Sequence, residues 1–248
     1  MTEPPDHTSQ RFSDADLSDL AWSDGNFADS IFVDCVFRDC DFKRTDFSGA
    51  RFTDCRFVHC SFSSTQCNEA KFIGCHFDRQ DSEGACSFKA ASLKDAVLAN
   101  CNLNLCRFDG ATLIGIEFRE CVLKGADFRR SSFSRSIGRN ATFAIASFLN
   151  CKLDYADLSE QFLETVDFSG SSLFQTNLFR SQLARAVMRE VQLAATDVRE
   201  ADFTNADLQF ATISEVDLLD MKSFAGMMVS PDQQTSLLQA LGLEVTRT

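Results

Sequence analysis

The sequence predicts an all-β solenoid, a chain that turns a corner every five residues and buries one large side chain at each step. Three observations predict it. The first is a beat. From Phe12, every fifth residue is large and apolar: Leu17, Trp22, Phe27, Phe32 and onward to Phe77, then from Phe88 to Leu218. Of 41 beats only Cys67 and Gly138 break it, and 20 of the 25 Phe sit on it. A period of five fits neither a helix at 3.6 nor a flat strand at 2, whereas self-similarity at a fixed short period marks a solenoid. The second is a small residue two positions before the beat, as at Cys35, Cys40, Thr45, Ala50, Cys55, Cys60, Thr65 and Ala70. Residues two apart on an extended segment point the same way, so both should face inward. The third is that the other three positions carry most of the Asp, Ser, Arg, Lys and Asn, as a solvated outer wall requires.

Several units read Ala15-Asp16-Leu17, Ala126-Asp127-Phe128, Ala156-Asp157-Leu158 or Ala201-Asp202-Phe203. These resemble the A(D/N)LXX signature of the pentapeptide-repeat family over roughly residues 11–222. The resemblance implies a right-handed quadrilateral β-helix, one unit per face and four faces per coil. The beats would then make about ten coils, a rod on the order of 50 Å long at the ~4.8 Å spacing of paired strands. Residues 1–10 are expected to be a flexible N-terminal tail, and 223–248 a short C-terminal capping or dimerisation helix.

An unbroken period argues for one elongated body rather than two domains. Ten of the eleven Cys occupy the inward small position, and Cys67 sits on the beat. Cysteine therefore serves as a small buried hydrophobe. No CxxC pair exists, so neither metal nor cofactor is expected. Many buried thiols fit a reducing compartment. The N-terminal residues lack a secretory pattern, and no run approaches ~18 apolar residues. The expected location is the cytoplasm.

Net charge is −12 and uneven. Residues 1–34 carry 8 acids and 1 base, residues 35–148 carry 13 and 16, and residues 149–248 carry 15 and 7. Such a surface either keeps a rod soluble or attracts a basic partner, such as a protein groove built for nucleic acid. It disfavours direct nucleic-acid binding. No enzyme is expected: His7, His59 and His76 are scattered, and no phosphate loop, HExxH or Gly-x-Ser-x-Gly element is present.

The beat is interrupted twice, and insertions in a solenoid map to loops. Phe77 and Phe88 are eleven apart, enclosing a polar stretch, residues 78–85, that predicts a projecting loop A. After Phe133 the phase survives, but Gly138 falls on a beat and the small-residue pattern disappears. Residues 134–145 are thus a second loop, loop B, or a degenerate coil. Beyond Leu218, Ser230 and Pro231 make a helix start, and Leu237, Leu238 and Leu241 lie on one face before Gly242. This element either caps the open end or packs on its copy. The apolar content around Phe224, Met227 and Met228 favours a two-fold dimer.

A closer resemblance rests on Phe72-Ile73-Gly74-Cys75-His76-Phe77, Cys86-Ser87-Phe88, Leu93-Lys94-Asp95-Ala96, Gly115-Ile116, Lys124-Gly125-Ala126-Asp127-Phe128-Arg129 and the closing Leu237-Leu238 and Leu241-Gly242. From about residue 32 onward the chain resembles the Qnr-type quinolone-resistance proteins of bacteria, and both breaks fall where that group carries its loops. The resemblance implies a dimeric, DNA-like rod that binds DNA gyrase and topoisomerase IV and protects them from quinolones. It places partner contacts in loop A, at Asp78, Arg79, Gln80, Asp81, Ser82, Glu83 and Gly84. In loop B it places them at Arg135, Ser136, Ile137, Gly138, Arg139 and Asn140. Dimer contacts would come from Phe224, Met227, Met228, Leu237, Leu238 and Leu241. Three features depart from the group: extra N-terminal coils, Ala85 where a Gly is usual, and a middle segment that is not acidic. A generic pentapeptide scaffold with some other protein partner is the competing expectation.

Overall fold

The computed structural model describes residues 6–78, 85–137 and 141–246. The chain pairs in parallel with itself twenty residues on. Strand Arg11–Ser13 lies beside Ile31–Val33, which lies beside Arg51–Thr53 and then Lys71–Ile73. Twenty residues are four pentapeptides, so each coil has four faces, and the fold is a right-handed quadrilateral β-helix. Face one carries Phe12, Phe32, Phe52, Phe72, Leu98, Phe118, Phe148, Phe168, Met188 and Leu208, one residue per coil. Faces two, three and four follow five, ten and fifteen residues later.

Coil spacing sets the core. Phe32 stacks on Phe52 at 4.6 Å and Phe52 on Phe72 at 4.7 Å, with rings within 5° of parallel. That distance is the strand spacing itself. The inward small residue also holds a hydrogen bond. Thr45 Oγ1 donates to Trp22 O at 2.7 Å and Thr65 Oγ1 to Phe42 O at 2.8 Å. Cys75 and Cys101 donate in the same way to Phe52 O and Phe72 O. Cysteine is thus a weak-donor substitute for threonine in this column, as well as a small apolar filler. All eleven thiols are free and buried, and burial pushes the Cys67 thiol up.

Most corners turn on the residue two past the beat, which adopts left-handed φ, as at Asp24 (62°), Arg44 (57°) and Tyr155 (63°). Asp and Asn tolerate this conformation. Gly is required where the coil before leaves no room. A Cβ on Gly49 or Gly115 would strike the carboxylate of Asp29 or Asp95 directly before it on the same corner.

The coil begins earlier than the expected boundary at residue 11. His7 N–H donates to Asn26 O and Ser9 N–H to Ala28 O, each at 2.8 Å. His7 occupies a beat position, and its ring stacks on Phe27 at 4.9 Å. An imidazole filling an aromatic slot was invisible to a count of apolar residues. Trp22 fills the first coil, its indole within 5.4 Å of Phe27, Phe37 and Phe42.

At the other end, a 3-10 turn Pro231–Gln233 leads into helix Gln234–Ala240. Gln233 is buried and plugs the last coil. Its Nε2 donates to Leu208 O at 2.9 Å and Ala211 O at 2.7 Å. Met227, Leu237 and Leu241 pack against the chain's own core, whereas Phe224, Met228 and Leu238 are exposed. The six expected dimer residues therefore divide into capping and outward-facing groups.

Candidate partner-binding elements

The pairing register locates both insertions. Ser61 pairs with Ser87 and Lys71 with Val97, each 26 residues on, before the spacing returns to twenty at Ser87 and Arg107. Six extra residues therefore lie between Phe77 and Phe88, which produces the one-residue slip in the beat. Asp78 closes strand His76–Asp78, its backbone opposite Val58. Ala85 packs on the core. Arg79, Gln80, Asp81, Ser82, Glu83 and Gly84 lie outside the described residues.

The second insertion is longer and keeps the phase. Val122 pairs with Lys152 and Asp127 with Asp157, thirty residues on. Two whole pentapeptides have left the wall. The expected loop B is instead an antiparallel hairpin, and the degenerate-coil alternative is excluded. Strand Ser134–Ile137 pairs with Ala141–Ala144 in the register Ser134 to Ala144, Arg135 to Phe143, Ser136 to Thr142 and Ile137 to Ala141. Ser-Arg-Ser-Ile alternates small and long side chains, as an extended ribbon allows, whereas a coil at this point would have to place Gly138 where a large residue belongs. Phe143, although on the beat, has its backbone in this hairpin. Gly138, Arg139 and Asn140 lie outside the described residues.

The hairpin root is fixed to the rod. Ile145 N–H donates to Phe133 O at 3.0 Å, and Gly115 N–H to Ile145 O at 2.5 Å. Thr165 Oγ1 donates to Ala144 O at 3.1 Å, and Ala144 is buried. The hairpin leaves between Phe133 on face four and Phe148 on face one. Loop A leaves between Phe77 on face two and Phe88 on face three. They depart from diagonally opposite corners, separated along the axis by about 12 Å at strand spacing.

Much of the surface charge is paired internally. The buried Asp109 and Asp207 are held by the exposed Arg130 (2.7 Å) and Arg189 (2.5 Å). Hydrogen bonds from Arg129 keep the Asp127 carboxyl below its usual range, and Arg199 does the same for Asp197. Face three presents Asp127, Asp157, Asp197 and Asp217 along the rod. Aromatic residues off the beat also line the outer wall. Tyr155 meets Phe174 edge-on at 5.6 Å, and Phe179 lies under Arg180 at 4.6 Å. Their position one or two residues past a beat was the sequence signal for this patch. Among the described residues no group of three or more His, Cys, Asp or Glu could hold a metal ion, and no helix is long and apolar enough to cross a membrane.

Two family models match. "Pentapeptide repeat region" covers residues 50–128, and "Pentapeptide repeats (8 copies)" covers 11–49, 23–58, 116–148 and 181–218. Quinolone resistance pentapeptide repeat protein QnrB96 of Scandinavium goeteborgense is 38% identical over 102 residues, 41% of this chain and 48% of that protein. Pentapeptide repeat protein QnrB4 of Escherichia coli is 38% identical over 90 residues, 36% of this chain and 42% of that protein. The chain thus spans about half the length of these curated relatives. A trypsin-treated form of QnrB1, a plasmid-mediated fluoroquinolone resistance protein, superposes with a TM-score of 0.68 at 28% identity, over 86% of this chain and 99% of that one. The twenty-residue register, the Phe and Leu columns and these matches agree: this chain belongs to the pentapeptide-repeat family, and within it is similar to the Qnr proteins.

Proposed function

We propose that this protein confers quinolone resistance by binding the bacterial type II topoisomerases DNA gyrase and topoisomerase IV in the cytoplasm and protecting them as a DNA-like rod. The observation that carries the reading is the hairpin between Phe133 and Phe148. It is a two-pentapeptide excursion from the coil wall, in a chain similar to quinolone-resistance proteins. Contacts are assigned to loop B at Arg135, Ser136, Ile137, Gly138, Arg139 and Asn140, and to loop A through Asp78 to Gly84. The acidic C-terminal segment supports an electrostatic share. If two copies join through Phe224, Met228 and Leu238, their acidic segments meet at the centre, where a basic enzyme surface would dock.

The test is gyrase supercoiling in the presence of a fluoroquinolone. Intact protein should restore activity. Excising residues 134–143 brings Phe133 and Phe148 five apart, so the coil closes, and the variant should keep its circular dichroism while losing protection. Equal protection by the excised form removes the hairpin from the contact. No protection or gyrase binding by the intact protein favours a scaffold for some other partner. Light scattering should give twice the chain mass, and one chain mass once residues 223–248 are removed.

A further inference from the structure

We propose that the rod contains a hinge at the coil step from which the hairpin departs, open on face four and pivoting on face two. On face four Thr112 bridges Ser132 and Phe162 bridges Gln182, yet among the described residues no bridge joins Ser132 to Phe162. The other three faces are stitched across the same step. Ile116–Arg119 pairs with Ala146–Leu149, Val122 with Lys152, and Asp127 with Asp157.

The missing rungs follow from the coil before. There Gly110 N–H donates to Arg129 O (3.1 Å), Ser132 N–H to Ala111 O (2.9 Å) and Leu113 N–H to Ser132 O (2.7 Å). The equivalents at the open step are Arg130 to Ser159, Phe162 to Ser131 and Phe133 to Phe162, and none is made. Three successive inter-coil hydrogen bonds are absent on one face.

The side chains beside the opening stay on their own sides. Gln161 stands in the inward column held by Ser131 one coil earlier and Ser181 one coil later. Ser131 Oγ reaches back to Phe108 O at 2.7 Å. Gln161 does not reach back. Its Nε2 donates to Ser159 O at 3.1 Å, the carbonyl that Arg130 N–H would otherwise take. Arg130 turns away to form two 2.7 Å bonds to Asp109. A cleft lined by Arg129, Arg130, Ser159, Glu160 and Gln161 opens at this corner.

A solenoid couples only neighbouring coils, so a step with one unstitched face is a local minimum of stability. The hairpin root straddles it: Ile145 is bonded to Phe133 and Gly115 before the step, and Ala144 to Thr165 beyond it. Opening the step therefore reorients the hairpin.

Hydrogen exchange and spin-label distances on the free protein test this. The amides of Arg130, Phe133 and Phe162 should exchange roughly 100-fold faster than those of Gly110, Ser132 and Leu113, and equal rates overturn the proposal. Spin labels at positions 66 and 182 on face four should give a broader distance distribution than labels at 56 and 172 on face two. Equal widths reject bending about face two. Gln161→Ser, whose hydroxyl can reach Phe128 O, should slow the three amides and narrow the face-four distribution. A folded variant without either change refutes the role of Gln161 in keeping the step open by occupying Ser159 O, and Gln161→Thr repeats the test should the serine variant fold poorly.

Discussion

Replacing Gln233 with leucine should undo the C-terminal end of the rod. The buried carboxamide satisfies four groups. It donates to Leu208 O and Ala211 O, and accepts from Ser230 N–H at 2.6 Å and Ser230 Oγ at 2.8 Å. Ala211 O is the acceptor that a following coil would use, just as Thr212 N–H donates to Val191 O. Leucine has nearly the same volume, so little cavity forms and the loss lies in hydrogen bonding. Ala211 O and the Ser230 amide lose their partners, whereas Leu208 O keeps the Ala211 N–H at 3.1 Å. Each buried unsatisfied group costs about 1–3 kcal/mol, reduced where water reaches the frayed end, so the total is about 2–4 kcal/mol. For a chain of this size that lowers the melting temperature by roughly 5–10 °C. Because coupling is between neighbours, exchange should accelerate at Leu208–Thr212 and remain unchanged at Phe32–Phe52. Calorimetry with site-resolved exchange decides it. A melting temperature within about 1 °C of the parent, or acceleration spread evenly along the rod, would refute the assignment of Gln233 as the plug.

Gly115→Ala should destabilise by about 1–2 kcal/mol through its left-handed φ of 74° and the collision with Asp95. Adding Asp95→Ala should recover part of that loss in urea titrations, and an unaffected single variant would contradict the packing described. Asp127 and Asp197 have folded-state pKa values below the unfolded one, so their contribution is complete above about pH 4. It is lost as pH falls through the folded values. Urea midpoints should stay flat between about pH 5 and 8 and fall below about 4, with a shallower fall in Asp127→Asn; an onset near pH 6 would point to other groups. Disulfide-exchange titration of native protein should find almost no reactive thiol, and all eleven in denaturant; rapid native reaction would contradict their burial.

The coil was legible because the same burial demand recurs every five residues, and a residue such as Phe52 reports it independently of its neighbours. Insertion length decided what else could be read. Six extra residues leave a remainder of one, so the break after Phe77 showed as a phase slip. Ten leave no remainder, so Phe143 kept its place on the beat while its backbone had joined the hairpin. The coil starts before the first apolar beat because His7 fills an aromatic slot without being apolar. Gln233 was out of reach for a different reason. One glutamine in the polar run 232–236 acquires meaning only when Leu208 and Ala211, 25 and 22 residues earlier, are brought beside it.

Both insertions leave at corners, and the ladder explains why. A residue within a face is committed in both directions, its column donating to the next coil and accepting from it, so lengthening a face would break the register above and below. A corner can be lengthened while the faces on either side keep their partners. Loop A does this with pairing preserved from Ser61 to Ser87. The hairpin does so less completely, leaving three rungs unmade on face four. It is thus the longer excursion that coincides with the weakened step.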